Sequence, residues 1–411
     1  MKQVRLYNLR LPDAPEKRSE LLFEDGVFVE HFSAAKPHVQ SIDAGGAMAL
    51  PGLVETHIHL DKACIMHRCQ LDHGTLSEAI EQTRRAKAEF TQDDVYKRGA
   101  KVIEKAVVQG TSYMRTHVEI DPIIGLTGFR AIQKLKVDYS WAIDLQICVF
   151  PQEGLLNNQG TEALLCEALE AGADLLGGCP YTDSDPIGQI RKLFELARYY
   201  DCDLDLHLDF DLNPEEMTIS EVIRQTVLHG WEGRVTIGHV TKLSALPPKV
   251  LQEIASQLAQ ADVRVTSLPS TDLFLMGREA SHNIPRGVAP LKKLSAAGVT
   301  CSVSTNNIGN PFTPFGDASL VRQSNLFANI NHMGTTSDLL QCLGWISTES
   351  ARLIGLERYG LTPGCQANFV LFPVTAAEEV IAEIVPPTMG FRKGNVTFTR
   401  ERPILLGPEN R

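Results

Sequence analysis

The chain reads as an α/β protein, a (β/α)8 TIM-type barrel with a small β-sandwich module, and three observations predict it. The middle of the sequence repeats a strand-then-helix texture eight times. The two ends are β-rich and unlike that middle. The histidines gather where the repeated strands end.

In chain order, VRLYNLRL alternates apolar and polar residues, Asp25-Gly26 marks a turn, and GVFVEHF alternates again. The middle then supplies eight strand candidates: 49–60, 111–120, 144–152, 174–180, 203–210, 234–240, 263–270 and 299–307. Between them lie segments such as IRKLFELARYY and KVLQEIASQLAQ, whose apolar residues recur with the helical period. Gly, Asn or Asp stands just past several of these helices. Eight βα units in roughly 300 residues are the count of a closed parallel barrel. The rival is an open doubly wound sheet, but no GxGxxG follows a first strand here. Near the C-terminus ANFVLFPV and GNVTF return to strand texture. The expected division is therefore a barrel over 51–357 and a β-sandwich module assembled from 1–50 and 358–411.

Composition narrows the functional classes. A net charge of −11 over 411 residues argues against nucleic acid or an anionic membrane as partner, because phosphate binding needs a basic face. No uninterrupted apolar run approaches a membrane span. The N-terminus lacks a signal-peptide core, and nine scattered cysteines form no CxxC pair. The expected compartment is the cytoplasm, with the thiols reduced.

In a parallel barrel the chemistry collects at the C-terminal strand ends. Five of the twelve histidines stand there: His57, His59, His117, His207 and His239. Side chains on a strand alternate with period two, so His57 and His59 should point the same way, into the barrel. His207 enters from the opposite wall. Three neutral imidazoles with an open position suit one divalent metal ion, Zn or Fe, that makes bound water acidic near neutral pH. A lone buried histidine such as His117 is more often structural than ligating.

On these residues the chain resembles the amidohydrolase superfamily, in its cytosine-deaminase-like branch. PGLVETHIHLDK is similar to that family's opening signature, and RTHVEID, DLQICVFPQEG, DLDLHLD, GRVTIGHVT and NPFTPFGDASL continue the likeness over nearly the whole chain. The resemblance implies hydrolysis of a C–N bond on a small pyrimidine or s-triazine, as in cytosine deaminase and N-isopropylammelide isopropylaminohydrolase. It implies His57, His59 and His207 as metal ligands, with Asn306 at the fourth position. It places His239 beside the metal-bound water or the substrate, Gln152 on a pyrimidine edge and Lys62 near the reacting centre. A homo-oligomer is the family-like expectation.

Two departures bear on mechanism. The family's strand-8 aspartate is here Asn306, followed by Asn307, and an amide cannot act as a base near pH 7. A strand-5 glutamate of cytosine deaminase is replaced by Phe210. General acid–base catalysis is worth about 10²–10⁴-fold, so another group should substitute. Asp209 ranks first, because two residues after His207 it should face the same lumen. His239, Glu153, Glu119 and Lys62 follow. Arg278 joins Gln152 as an expected contact to the ring edge. Two alternatives stand beside this reading: a catalytically impaired binding protein that keeps the pocket, motivated by Asn306 and Phe210, and a hydrolase of another amide or a cyclic imide. The segments from Cys64 to Gly74 and from Met276 to Pro285 are expected to shape the barrel mouth.

Overall fold

The structure, a computed structural model, describes residues 2–33, 38–401 and 403–406. Eight parallel strands follow one another around a barrel in sequence order: β1 (Leu53–Ile58), β2 (Thr111–Glu119), β3 (Asp144–Phe150), β4 (Leu175–Gly178), β5 (Asp203–Leu208), β6 (Val235–His239), β7 (Val263–Ser267) and β8 (Cys301–Val303). The sheet closes between its first and last strands. The amide of His59 donates to the carbonyl of Asn306, and the amide of Asn306 donates to that of His57, each at 2.9 Å. Below them Thr56 Oγ1 lies 2.6 Å from Ser304 Oγ and 2.8 Å from Ser302 Oγ. This closure rules out the open doubly wound sheet.

The period-two pattern divides the strands between two environments. On β5 Leu204, Leu206 and Leu208 turn outward into the apolar layer under the helices, while Asp205 and His207 turn into the lumen. The helices complete that layer. In Pro186–Tyr200, Ile190, Leu193, Phe194 and Ala197 form one buried stripe at helical spacing, against β4 and β5. Asp185 caps this helix by accepting from the Gly188 amide at 2.8 Å, and Pro186 occupies its first turn. Burying each such large side chain contributes about 1.5–3 kcal/mol.

The second sheet comes from both chain ends. Its path runs Asn395–Thr399, Met389–Arg392, Phe369–Phe372, Met48–Pro51, Gln3–Leu11, Ala14–Glu24 and Val27–Val29, with Gln40–Asp43 beside Gln3–Leu11. A separate apolar core fills it, including Phe369 and Phe391 stacked at 4.2 Å. Sequence reading overlooked Ala14–Glu24, because its PEKRSE stretch is charged and lies on a largely exposed hairpin. No helix among the described residues is long and apolar enough to cross a membrane.

Candidate metal and substrate site

At the C-terminal end of the barrel His57, His59 and His207 converge. His207 Nε2 lies 3.1 Å from His57 Nε2 and 3.1 Å from His59 Nε2. One proton on His207 Nε2 could satisfy one of these contacts, not both, whereas a shared cation satisfies both. Burial holds all three imidazoles well below their ordinary pKa, and neighbouring positive charge adds to this, so they stay neutral, the form that ligates a metal. His239 contributes a further nitrogen to the group formed by His57 and His207. Gly238 makes room for this cluster, since a side chain there would begin 3.2 Å from the His57 ring. These donors fit a divalent ion.

The backbone is bent where the strands end. His239 has φ +68°, Val240 +42°, Asn306 +64° and Asp209 +48°. Left-handed conformations are unfavourable for these residues, for β-branched Val240 above all, and cluster at functional sites when the surroundings enforce them. Here the enforcement is visible: the Val240 amide donates to the Leu208 carbonyl at 3.0 Å.

His239 Nδ1 is held at 2.6 Å by Asp272 Oδ1. Asp272 is fully buried, and burial raises its pKa, opposed by His239 and the Leu268 amide. Asn306 turns its Nδ2 toward His239 Nε2 at 3.5 Å, and its Oδ1 is buried without a hydrogen-bond partner. Asp272 was missed in the sequence because it lies on a short helix after β7, 33 residues from His239.

Asp209 requires a correction. Alternation predicts that it faces the lumen with His207, but the backbone leaves the extended conformation at Asp209 itself. Its carboxylate accepts from the Thr218 amide and hydroxyl, each at 2.9 Å, and from the Ile219 amide at 3.1 Å. It caps the helix Ile219–His229 and is turned away from the imidazoles.

On the opposite side of the mouth Lys62, 2 % exposed, donates to Glu119 Oε1 at 2.8 Å and Gln152 Oε1 at 3.0 Å. Its ammonium also lies 4.4 Å from the Phe312 ring centre. Gln152 donates in turn to Cys179 Sγ at 3.3 Å. Glu119 Oε2 receives Lys87 at 2.9 Å, and Lys87 also binds Asp121 at 2.6 Å and Glu153. Glu119, Asp121 and Glu153 could by spacing hold a metal, but the Lys87 ammonium fills that position. Burial would raise the Glu119 pKa, but Lys62 and Lys87 outweigh it and hold the carboxylate well below its usual range. Neither Glu119 nor Glu153 is free to act as a base.

Beneath the cradle Arg115 binds Asp205 at 2.8 Å, and the His117 ring stacks on His57 at 3.8 Å, with its Nε2 3.4 Å from Asp205. His117 thus supports the His57 ring from below.

His59, Lys62, Gln152, His207, His239 and Asn306 line one small inner pocket. Arg278 does not join them. It lines a larger outer basin, donates to the His73 carbonyl at 3.0 Å and rests 4.5 Å over the Phe274 ring. The expectation that it holds the ring edge beside Gln152 is thereby corrected, because its side chain is committed to clipping two mouth loops together.

The histidine cluster stands at the C-terminal mouth of a parallel barrel, where barrel enzymes carry their chemistry, and comparison with known proteins supplies the family. The chain belongs to the amidohydrolase family, whose model matches residues 121–398. It is a hydrolase acting on carbon–nitrogen bonds. It is 27% identical to N-isopropylammelide isopropyl amidohydrolase of Pseudomonas sp. over 80% of this chain and 81% of that protein. It is 26% identical to pterin deaminase of Rhizobium rhizogenes over 92% and 87%. Among solved structures, 5-methylcytosine deaminase from Klebsiella pneumoniae, liganded with 5-fluorocytosine, superposes with a TM-score of 0.92 at 28% identity, covering 99% of this chain and 100% of that one.

Proposed function

We propose that this chain releases ammonia or an amine from a small nitrogen heterocycle, such as a pyrimidine, pterin or s-triazine, with one divalent metal ion, zinc or iron. His57, His59 and His207 would hold the ion, with the Asn306 carbonyl oxygen as a neutral fourth donor. The observation that carries the reading is the approach of His57 and His59 Nε2 to one His207 Nε2 at 3.1 Å each. The heterocycles named for the relatives support the substrate class. When bound, such an ion acidifies water and polarises the bond under attack.

The side chains supply the rest. His239, steadied at Nδ1 by Asp272, receives at Nε2 the proton that the attacking water gives up. It returns that proton to the departing nitrogen, so the ring carbon exchanges its C–N bond for C–O and the amine leaves neutral. The His239–Asp272 pair therefore takes over the work of the missing strand-8 carboxylate. Lys62 places a fixed positive charge beside the ring, and its bond to Gln152 sets which way that amide faces. Phe210 and Phe312 shield the inner pocket from bulk water.

The chemistry belongs to the barrel, over 51–357, while the module of 1–50 and 358–411 serves as scaffold. Nine cysteines, all without disulfides, support a cytoplasmic enzyme, and the family-like expectation is an assembly of identical chains.

The test is to purify the protein with zinc or ferrous iron, measure bound metal, and assay cytosine, isocytosine, pterins and aminotriazines for ammonia or amine release. Stoichiometric metal with turnover of one class is expected; silence across the panel in metal-loaded protein would sink the proposal. A second reading, a pocket that binds without turnover, is favoured by one observation, the amide at Asn306. Asn306→Asp separates the two. Activity appearing where the native chain has none supports the binding reading, whereas loss of an existing activity supports the His239–Asp272 mechanism.

A further inference from the structure

Two chambers lie one above the other at the barrel mouth, and they differ greatly in size. The inner pocket, around the imidazoles, has a volume of about 10 Å³, room for about one water. The outer basin has a volume of about 710 Å³, within the range of small-molecule sites. Among the described residues Phe210 alone lines both. Its ring rests 3.9 Å from the His239 ring and 5.9 Å from that of Tyr181, so it forms the floor of the basin and the roof over the reacting end. No heterocycle fits inside while Phe210 holds this position.

The basin wall is apolar where it meets Phe210. Leu76, Leu212, Leu275 and Met276 surround the ring and belong with it to one hydrophobic cluster. Polar groups, the exposed Asp211 and Glu279 among them, line the same basin. The Arg278 clip to the His73 carbonyl holds the two loops that form the wall together. Met276 adds an unbranched, adaptable surface.

We propose that the outer basin is a second substrate subsite. It takes an apolar arm, alkyl or aryl, carried by the heterocycle whose ring enters the inner pocket, and Phe210 is the side chain that yields to connect the two. This rests on the C–N hydrolase reading for the identity of the ring. A ring with such an arm gains the burial of that arm against the leucines, which a bare ring forgoes.

The test compares aminopyrimidines and amino-s-triazines, each bare and with a benzyl group at each open position, by calorimetric binding to the metal-loaded full chain. At least one benzylated compound should bind about tenfold or more tightly than its bare parent. Leu212→Asp and Leu76→Asp, both at half-buried positions, should erase that gain while leaving the bare parent within about twofold, with an unchanged Tm as the check on folding. If no benzylated compound outbinds its parent, or if both folded variants weaken bare and benzylated compounds equally, the subsite is refuted. Turnover is scored separately. Bare compounds turned over without any gain from an arm would remove the subsite and keep the hydrolase. An arm-dependent gain in binding without turnover of any compound would do the reverse.

Discussion

The two sides of the barrel mouth solve opposite electrostatic problems. On the side of β1 and β5 the groups are the imidazoles of His57, His59 and His207, kept neutral by burial, with their Nε2 atoms pressed together and their Nδ1 atoms without hydrogen-bond partners. On the side of β2 and β3 the groups are charged and saturated: Glu119 gives one oxygen to Lys62 and the other to Lys87, and Lys87 spends its remaining donors on Asp121 and Glu153. A site meant to accept a cation must leave donors unmet, while a site meant to hold its shape must meet them all. On the proposed reading, the two halves differ as a receptor differs from a frame.

The strongest way to break that contrast is to remove a receptor donor. His207→Ala should reduce bound metal from about one ion per chain to none and abolish hydrolysis, as read by elemental analysis and product release. Retained stoichiometric metal would show that His57 and His59 do not depend on it. Next, His239→Gln should keep the metal but lower kcat by about 10²–10⁴-fold. Asp272→Asn should cost about 10–100-fold through misorientation of that ring, and an unaffected kcat would remove Asp272 from the mechanism.

On the frame side, Lys87→Met leaves the buried carboxylates of Glu119 and Asp121 and the half-buried one of Glu153 around an empty position, and should destabilise the fold by about 3–5 kcal/mol in chemical denaturation. The pH sign follows from Glu119. Its pKa is depressed in the folded chain, so the stability it brings is present above its ordinary value of 4.5 and lost as pH falls below it. Burial, with Glu119 as like-charged neighbour, pushes neighbouring Asp61 up to about 6, so its contribution has the opposite sign and declines as pH rises through that value. Lys87→Met should therefore be most damaging at neutral pH and above, and least damaging near pH 4, where the orphaned carboxylates can take up protons. A loss independent of pH would argue against the shared-carboxylate frame.

The smallest effect sharpens the boundary between the halves. Asp209→Ala should cost about 0.5–2 kcal/mol of stability through the lost helix cap and leave kcat/KM within about twofold. A large fall in kcat would restore Asp209 as a base.

Much of this was legible in the sequence where local rules hold. The eight strands, the shared direction of His57 and His59, and the arrival of His207 from the far wall all follow from a period of two along extended backbone. The absence of a carboxylate at Asn306 is a plain reading of the chain. The same rule misplaced Asp209, because it applies only while the strand continues, and the backbone turns left-handed at that residue.

By itself, then, the sequence determined the barrel and the imidazole cradle, since both depend on repeating local geometry and on residue types that announce their chemistry. Tertiary structure alone decided which partner each charged group meets. Asp272 reaches His239 from the helix after the next strand, Lys87 reaches Glu119 from the end of a helix over the mouth, and Arg278 is drawn off to His73. Each of those choices is made by a long-range hydrogen bond, buried for Asp272 and Lys87 and exposed at the rim for Arg278. No local period encodes which of several nearby partners a charged group will meet.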